Sequence, residues 1–233
     1  MSRLPLVPCL FMLLGLPAAW GEVKITNPGF ADRETLTYTE TVGSVTRPVK
    51  ATLSLAGEGS AARYEYRTAG AEAEALYRLD PVNLLSLSSE TLTRAVDATV
   101  RRTADYRDLK VKTGPDDLPV TDMGSLAVVL RGFPWGLRSS AKITYIGNMS
   151  MGSGAAFSFE LSVVGKEKVS AGRTWECWHV TTGLGGALSL VMAKTDWWFA
   201  VEGTHPLVKT SGPAGGPGSP MRTLVLQSYQ PGK

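Results

Sequence analysis

The sequence predicts a mainly β protein: a single antiparallel, strongly curved sheet or open barrel, with one short helix near residues 123–133. Three observations carry this reading. Apolar and polar residues alternate at period two along most of the chain. One segment alone switches to helical spacing. No low-complexity linker interrupts the pattern, so residues 22–233 read as a single β-rich domain behind a leader spanning residues 1–21.

The leader has the layout of a secretory signal peptide. Arg3 supplies the positive start, and residues 4–16 form an apolar run broken by Pro5, Pro8 and Gly15. Ala19 and Gly21 place small side chains for cleavage before Glu22. The run is shorter than the roughly 20 apolar residues that a membrane-spanning helix needs, and no later stretch approaches that length. Cys9 follows Leu6-Val7-Pro8. Pro8 stands where lipid attachment calls for a small residue, so Cys9 is expected to leave with the leader.

The strand elements follow in order. Leu36, Tyr38 and Val42 point to one side while Thr35, Thr37, Thr39 and Thr41 point to the other. Val49, Ala51, Leu53 and Leu55 alternate with Lys50, Thr52 and Ser54, and Tyr64 and Tyr66 sit between Arg63, Glu65 and Arg67. Residues 85–94 and 98–106 flank Asp97 as a hairpin. Phe157, Phe159, Leu161 and Val163 alternate with Ser158, Glu160 and Ser162. Such alternation fits half-buried strands of an antiparallel sheet. Gly-rich residues 183–186 and 212–220 read as connections between strands, and residues 114–119 as a Pro/Asp loop.

The exception is Leu126, Val129, Leu130 and Phe133, spaced i, i+3, i+4, i+7, which places all four on one helix face. Asp122 stands ahead of them as an N-cap, and Pro134 and Gly136 terminate the run.

Composition narrows function by exclusion. A formal net charge of +3 on 233 residues is too small for the basic surface that nucleic-acid binding demands. The chain holds 2 His and 2 Cys. Once Cys9 is removed, Cys177 has no internal disulfide partner. No HExxH, CxxC or calcium-loop pattern offers a metal a ligand set. Gly152-Ser153-Gly154 lacks the spacing of a hydrolase nucleophile elbow. No cofactor is expected.

Residues 122–229 resemble domain-of-unknown-function family 3108 of bacterial exported proteins. The blocks that carry the resemblance are Asp122, Ser125, Leu126, Leu130 and Arg131; Gly165, Glu167 and Val169; Ala171-Gly172; residues 175–180; residues 197–199; and residues 205–209. It departs at Trp175 and Trp178, where the family more often has Phe and Tyr. The resemblance implies a curved antiparallel sheet similar to the envelope lipoprotein-carrier folds, and no established activity.

Four tryptophans and one histidine are the candidate site residues. Trp175 and Trp178 lie on opposite faces of one strand, as do Trp197 and Trp198 on another. A half-buried sheet needs large apolar groups on one face only, so apolar groups on both faces mean that both are covered or that one lines a cavity. The first reading covers the far face with the helix and the 212–220 loop; the second makes it a ligand pocket. His205, before Pro206, is a pocket contact or a turn residue. Cys177 and His179 share a strand face, as a nucleophile and base would, but a buried structural thiol explains Cys177 equally. The leading expectation is an exported, non-enzymatic envelope protein, periplasmic or extracellular, that binds an apolar ligand or lipid in the curved sheet. The alternative is a structural or assembly module that engages an envelope protein through a sheet edge. An enzyme using Cys177 or His205 ranks third.

Overall fold

A computed structural model describes residues 23–94, 97–107, 117–120, 122–145, 157–185, 193–215 and 218–232. Residues 1–21, and with them the leader and Cys9, lie outside the described residues. Of the expected 183–186 connection, Gly183 and Leu184 end a strand instead, and Gly186 lies outside the described residues.

Among the described residues, thirteen strands form one sheet. In chain order they are β1 (Arg33–Val42), β2 (Val45–Ala56), β3 (Arg63–Ala69), β4 (Ala73–Leu79), β5 (Ser86–Arg94), β6 (Thr99–Asp105), β7 (Asp117–Val120), β8 (Ser140–Tyr145), β9 (Phe157–Ala171), β10 (Arg173–Leu184), β11 (Thr195–Ala200), β12 (Leu207–Pro213) and β13 (Met221–Gln230). The spatial order is β6-β5-β4-β3-β2-β1-β13-β12-β11-β10-β9-β8-β7. Two meanders therefore meet at the β1–β13 seam. β6 and β7 stay as edges, and the sheet does not close into a barrel.

The alternation read from the sequence is visible in burial. Leu36, Tyr38, Ala51, Leu53, Tyr64 and Tyr66 are buried, while their neighbours along each strand are more exposed. The pattern is not uniform. Leu55, grouped with the inward set, is 41% exposed near the end of β2. Glu34 and Glu40 occupy inward positions of β1, where alternation alone calls for apolar groups.

One expected loop is partly a strand. Within residues 114–119, Asp117, Leu118 and Pro119 belong to β7, which pairs with β8 in parallel. A proline is compatible with that position because β7 is an edge strand, and one side of its backbone has no ladder to complete. Every other pairing in the sheet is antiparallel. Bulges interrupt the register at Thr37/Tyr38, Arg78/Leu79, His179/Val180 and Trp198/Phe199. Each adds local twist and helps the sheet to curl.

The helix forms where the spacing placed it. α1 (Leu126–Val129) is a single turn flanked by 3-10 turns at Met123–Ser125 and Leu130–Gly132. Asp122 caps the segment, its side chain accepting from the Gly124 amide at 2.8 Å. Phe133 is already extended. So short a helix has no stability of its own. Leu126, Val129, Leu130 and Phe133 are all buried in the sheet's core, and each contributes roughly 1.5–3 kcal/mol by leaving water.

Polar contacts fix the segment's position. The Ser86 hydroxyl donates to Ser125 Oγ at 2.7 Å, and the Thr26 amide donates to the Gly132 carbonyl at 3.1 Å. Arg131 reaches from the helical segment to Glu34 on β1, Nη2 to Oε2, at 2.6 Å. The same guanidinium bonds Thr204 through its hydroxyl at 2.6 Å and its carbonyl at 2.8 Å. Glu34 Oε1 also accepts from Thr204 at 2.8 Å and from Tyr229 at 3.1 Å. A charge pair so enclosed is tolerated because most of its other donors and acceptors are also occupied.

Candidate functional site

Between the sheet and the helical segment lies a cavity of about 570 Å³. Strand register explains how it is built. Tyr66 on β3 stands opposite Tyr77 on β4, Tyr38 on β1 opposite Val49 on β2, and Trp197 on β11 opposite Thr210 on β12. In-register partners share a face, so these side chains converge on one concavity. Tyr38, Ala51, Tyr66, Tyr77, Trp197 and Leu224 line its walls, and Met123, Gly124 and Ala127 of the helical segment close one end.

The cavity's other end is charged. Glu40, Arg47, Glu72 and Arg222 belong to its lining. Arg47 Nε donates to Glu40 Oε2 at 2.5 Å, Arg47 Nη1 lies 2.5 Å from Glu72 Oε2, and Arg222 Nε donates to Glu40 Oε1 at 2.6 Å. Partial burial pushes the Glu40 carboxyl upward. The two guanidiniums outweigh it, so the group ends below the ordinary carboxylate range.

The tyrosines hold their protons. Burial pushes the Tyr66 phenol up to about 12 against the opposing pull of Arg131 and Arg222, and raises Tyr77 with help from Asp122. The Tyr38 hydroxyl donates to the Leu207 carbonyl at 3.0 Å. The Tyr66 and Tyr77 rings stack with centroids 6.0 Å apart. Tyr77 requires glycine at position 124, because a Cβ there would stand 2.0 Å from its hydroxyl oxygen.

Of the five candidates, Trp197 lines this cavity. Its indole donates to Thr182 Oγ1 at 2.9 Å and stacks near Phe199. Trp178 stands opposite Phe199. Its ring stacks on Trp135 with centroids 6.2 Å apart, and it packs beside the cavity instead of lining it.

Trp198 and Trp175 follow the other face of their strands. Trp198 stacks on His179 at 4.6 Å, carries the Lys209 ammonium over its ring and donates to Glu167. Trp175 is buried, donates to the Ala171 carbonyl at 2.9 Å and meets Tyr229 edge-on. It borders a smaller concavity where the β9–β10 hairpin tip crosses β13. Gly172 makes that crossing possible: its φ is +66°, and a Cβ would lie 2.5 Å from the Gln227 carbonyl oxygen. Large aromatic side chains are therefore packed on both faces of β10 and β11: Trp178 against Trp135 and Trp197 in the cavity wall on one, Trp175 against Tyr229 and Trp198 against His179 on the other.

His205 occupies the β11–β12 turn with φ +52°, and its Nδ1 is 2.9 Å from the Ala200 carbonyl oxygen. It is held as a turn residue, away from the cavity wall. Cys177 and His179 share a face as expected, but His179 Nε2 pairs with Asp196 at 3.0 Å while Cys177 Sγ lies 3.9 Å from the Trp175 carbonyl oxygen. Burial, reinforced by Glu167 and Glu176, pushes the thiol up to about 12. This is the reverse of the activation that a nucleophile needs. Among the described residues, no cluster of three or more His, Cys, Asp or Glu side chains is placed to hold a metal, and no helix is long and apolar enough to cross a membrane.

The fold is an open, curved sheet with a short helical segment packed against it. A β-barrel-like protein of domain-of-unknown-function family 1849 from Brucella abortus matches with a TM-score of 0.47 at 9% identity, covering 91% of this chain and 100% of that one. A protein of family 1329 from Desulfovibrio piger has a TM-score of 0.34 at 8% identity, covering 88% of this chain and 87% of that one. A protein from Bacteroides fragilis, described as exported and as having a YmcC-like fold, has a TM-score of 0.34 at 12% identity, covering 89% and 99%. No family model and no curated protein matches the sequence, so membership of family 3108 is not confirmed.

Proposed function

We propose that this is an exported, non-enzymatic protein of the cell envelope that binds an apolar ligand inside its curved sheet. The cavity of about 570 Å³ under the helical segment is the observation that carries the reading. Its size falls within the few hundred to a thousand Å³ typical of small-molecule sites. Its walls are largely aromatic and aliphatic, and it draws on both halves of the chain. The protonated, buried thiol of Cys177 and the carbonyl-bound ring of His205 support a binding role over catalysis. The leader at residues 1–21 supports export to the periplasm or the exterior.

The test is binding of diphenylhexatriene, an uncharged apolar fluorophore, to the mature chain. Saturable fluorescence gain is expected. Ala127→Phe should fill the cavity from its helical end and abolish the gain without unfolding the protein. Equal dye binding by a folded Ala127→Phe protein would place the ligand elsewhere. A second reading has its own support: β6 is an edge strand exposed along almost its whole length, which suits an envelope partner that adds a strand.

A further inference from the structure

The cavity holds two polar groups with nothing to bond. The Tyr66 and Tyr77 hydroxyls both belong to residues of its wall, and neither makes a hydrogen bond among the described residues, whereas the Tyr38 hydroxyl is committed to Leu207. Both hydroxyls keep accessible surface facing the cavity, so a bound hydrogen-bonding group can take the place of water on them, whereas an apolar one strips that water without replacing it. A pure hydrocarbon leaves them unsatisfied.

The charges at the opposite end are already used. Glu40 and Glu72 balance Arg47 and Arg222, and each guanidinium is held by a carboxylate at 2.5–2.6 Å. An anionic headgroup would have to displace one of these carboxylates or approach it closely. A cationic headgroup would compete with an arginine already in place. Neither gains a free counter-charge, so the rim selects against net charge.

We infer that the cavity takes an uncharged amphiphile, a long-chain alcohol or monoacylglycerol type of molecule, whose hydroxyl or ester group bonds Tyr66 and Tyr77 while its chain lies against Trp197, Leu224 and Ala51. The inference rests on the proposed ligand-binding function and names its ligand class. The phenols stay protonated throughout the physiological range, so they can both donate to an ester carbonyl and accept from an alcohol.

Displacement of diphenylhexatriene by three competitors with comparable chains tests it: octadecene, monooleoylglycerol and oleate at pH 8. Monooleoylglycerol should displace the dye at a concentration at least tenfold below oleate and severalfold below octadecene. Tyr66→Phe and Tyr77→Phe, which keep the rings, should each weaken monooleoylglycerol by roughly two- to tenfold, as expected for one lost hydrogen bond, and together erase its advantage over octadecene. If the dye binds but oleate competes as well as monooleoylglycerol, or the double variant keeps the full advantage, the ligand class is wrong while the cavity reading stands. If the dye does not bind at all, both fall.

Discussion

Replacing Arg131 by Met should be among the most damaging single changes on the helical segment. The Arg131 side chain is 3% exposed and its partner Glu34 is 1% exposed. Methionine keeps the aliphatic stem but deletes four attachments: the 2.6 Å bond to Glu34, the two bonds to Thr204 and the guanidinium over the Phe30 ring at 4.4 Å. Glu34 keeps only the hydroxyls of Thr204 and Tyr229. Breaking a buried pair from one side costs about 3–5 kcal/mol. For a chain of this size that corresponds to a fall in Tm of roughly 6–20 °C. The double variant Glu34→Met/Arg131→Met leaves no buried charge and should recover most of the loss. Urea unfolding followed by tryptophan fluorescence measures both, with the m-value held as a check on two-state behaviour. An Arg131→Met protein within about 1 kcal/mol of wild type, or a double variant no better than the single, would refute the reasoning.

Two further outcomes follow from the same geometry. Trp198→Ala should cost about 3–5 kcal/mol, the range for a buried large aromatic, with little change in dye affinity, whereas Trp197→Ala should weaken dye binding more than it lowers the denaturant midpoint; equal stability losses with unchanged binding would sever Trp197 from the cavity's function. Cys177 should label slowly with thiol reagents in the native state, and its proton is bound more tightly folded than unfolded, so its contribution to stability is complete below pH 9 and is lost as pH rises towards about 12; Cys177→Ala should flatten that alkaline decline, and an unchanged slope would show the thiol to be accessible.

Much of the sheet was legible because burial imposes period two on a strand. Tyr38, Tyr64 and Tyr66 appeared as inward positions from alternation alone, and the structure buries all three. The helix was legible because four apolar residues at helical spacing can meet a sheet only on one face. The site was legible only in part. Opposite-face tryptophans called for two covered faces or for one covered face and a cavity, and alternation does not say which side chain meets which surroundings. Trp197 therefore met the cavity, while Trp198 met His179 and Trp175 met Tyr229. The cavity's tyrosines carried a readable signal, aromatic hydroxyls recurring at inward positions, yet their convergence depends on long-range register. Glu34 and Arg131 were unreadable as a pair because their contact spans 97 positions and neither has a local partner that marks it as buried. Pro119 looked like loop punctuation because nothing nearby reveals that β7 is an edge.

The seam between β1 and β13 also governs when the molecule can become itself. Glu34 and Tyr229 touch across 195 positions, so the two meanders remain separate sheets with raw inner edges until residues 221–230 are available to bridge them. Closing so large a loop is slow, and each unbridged edge is an invitation to aggregate. Maturation of this chain is therefore gated from its far end. A polypeptide truncated before β13 would possess nearly every strand and still lack the join that makes them one sheet.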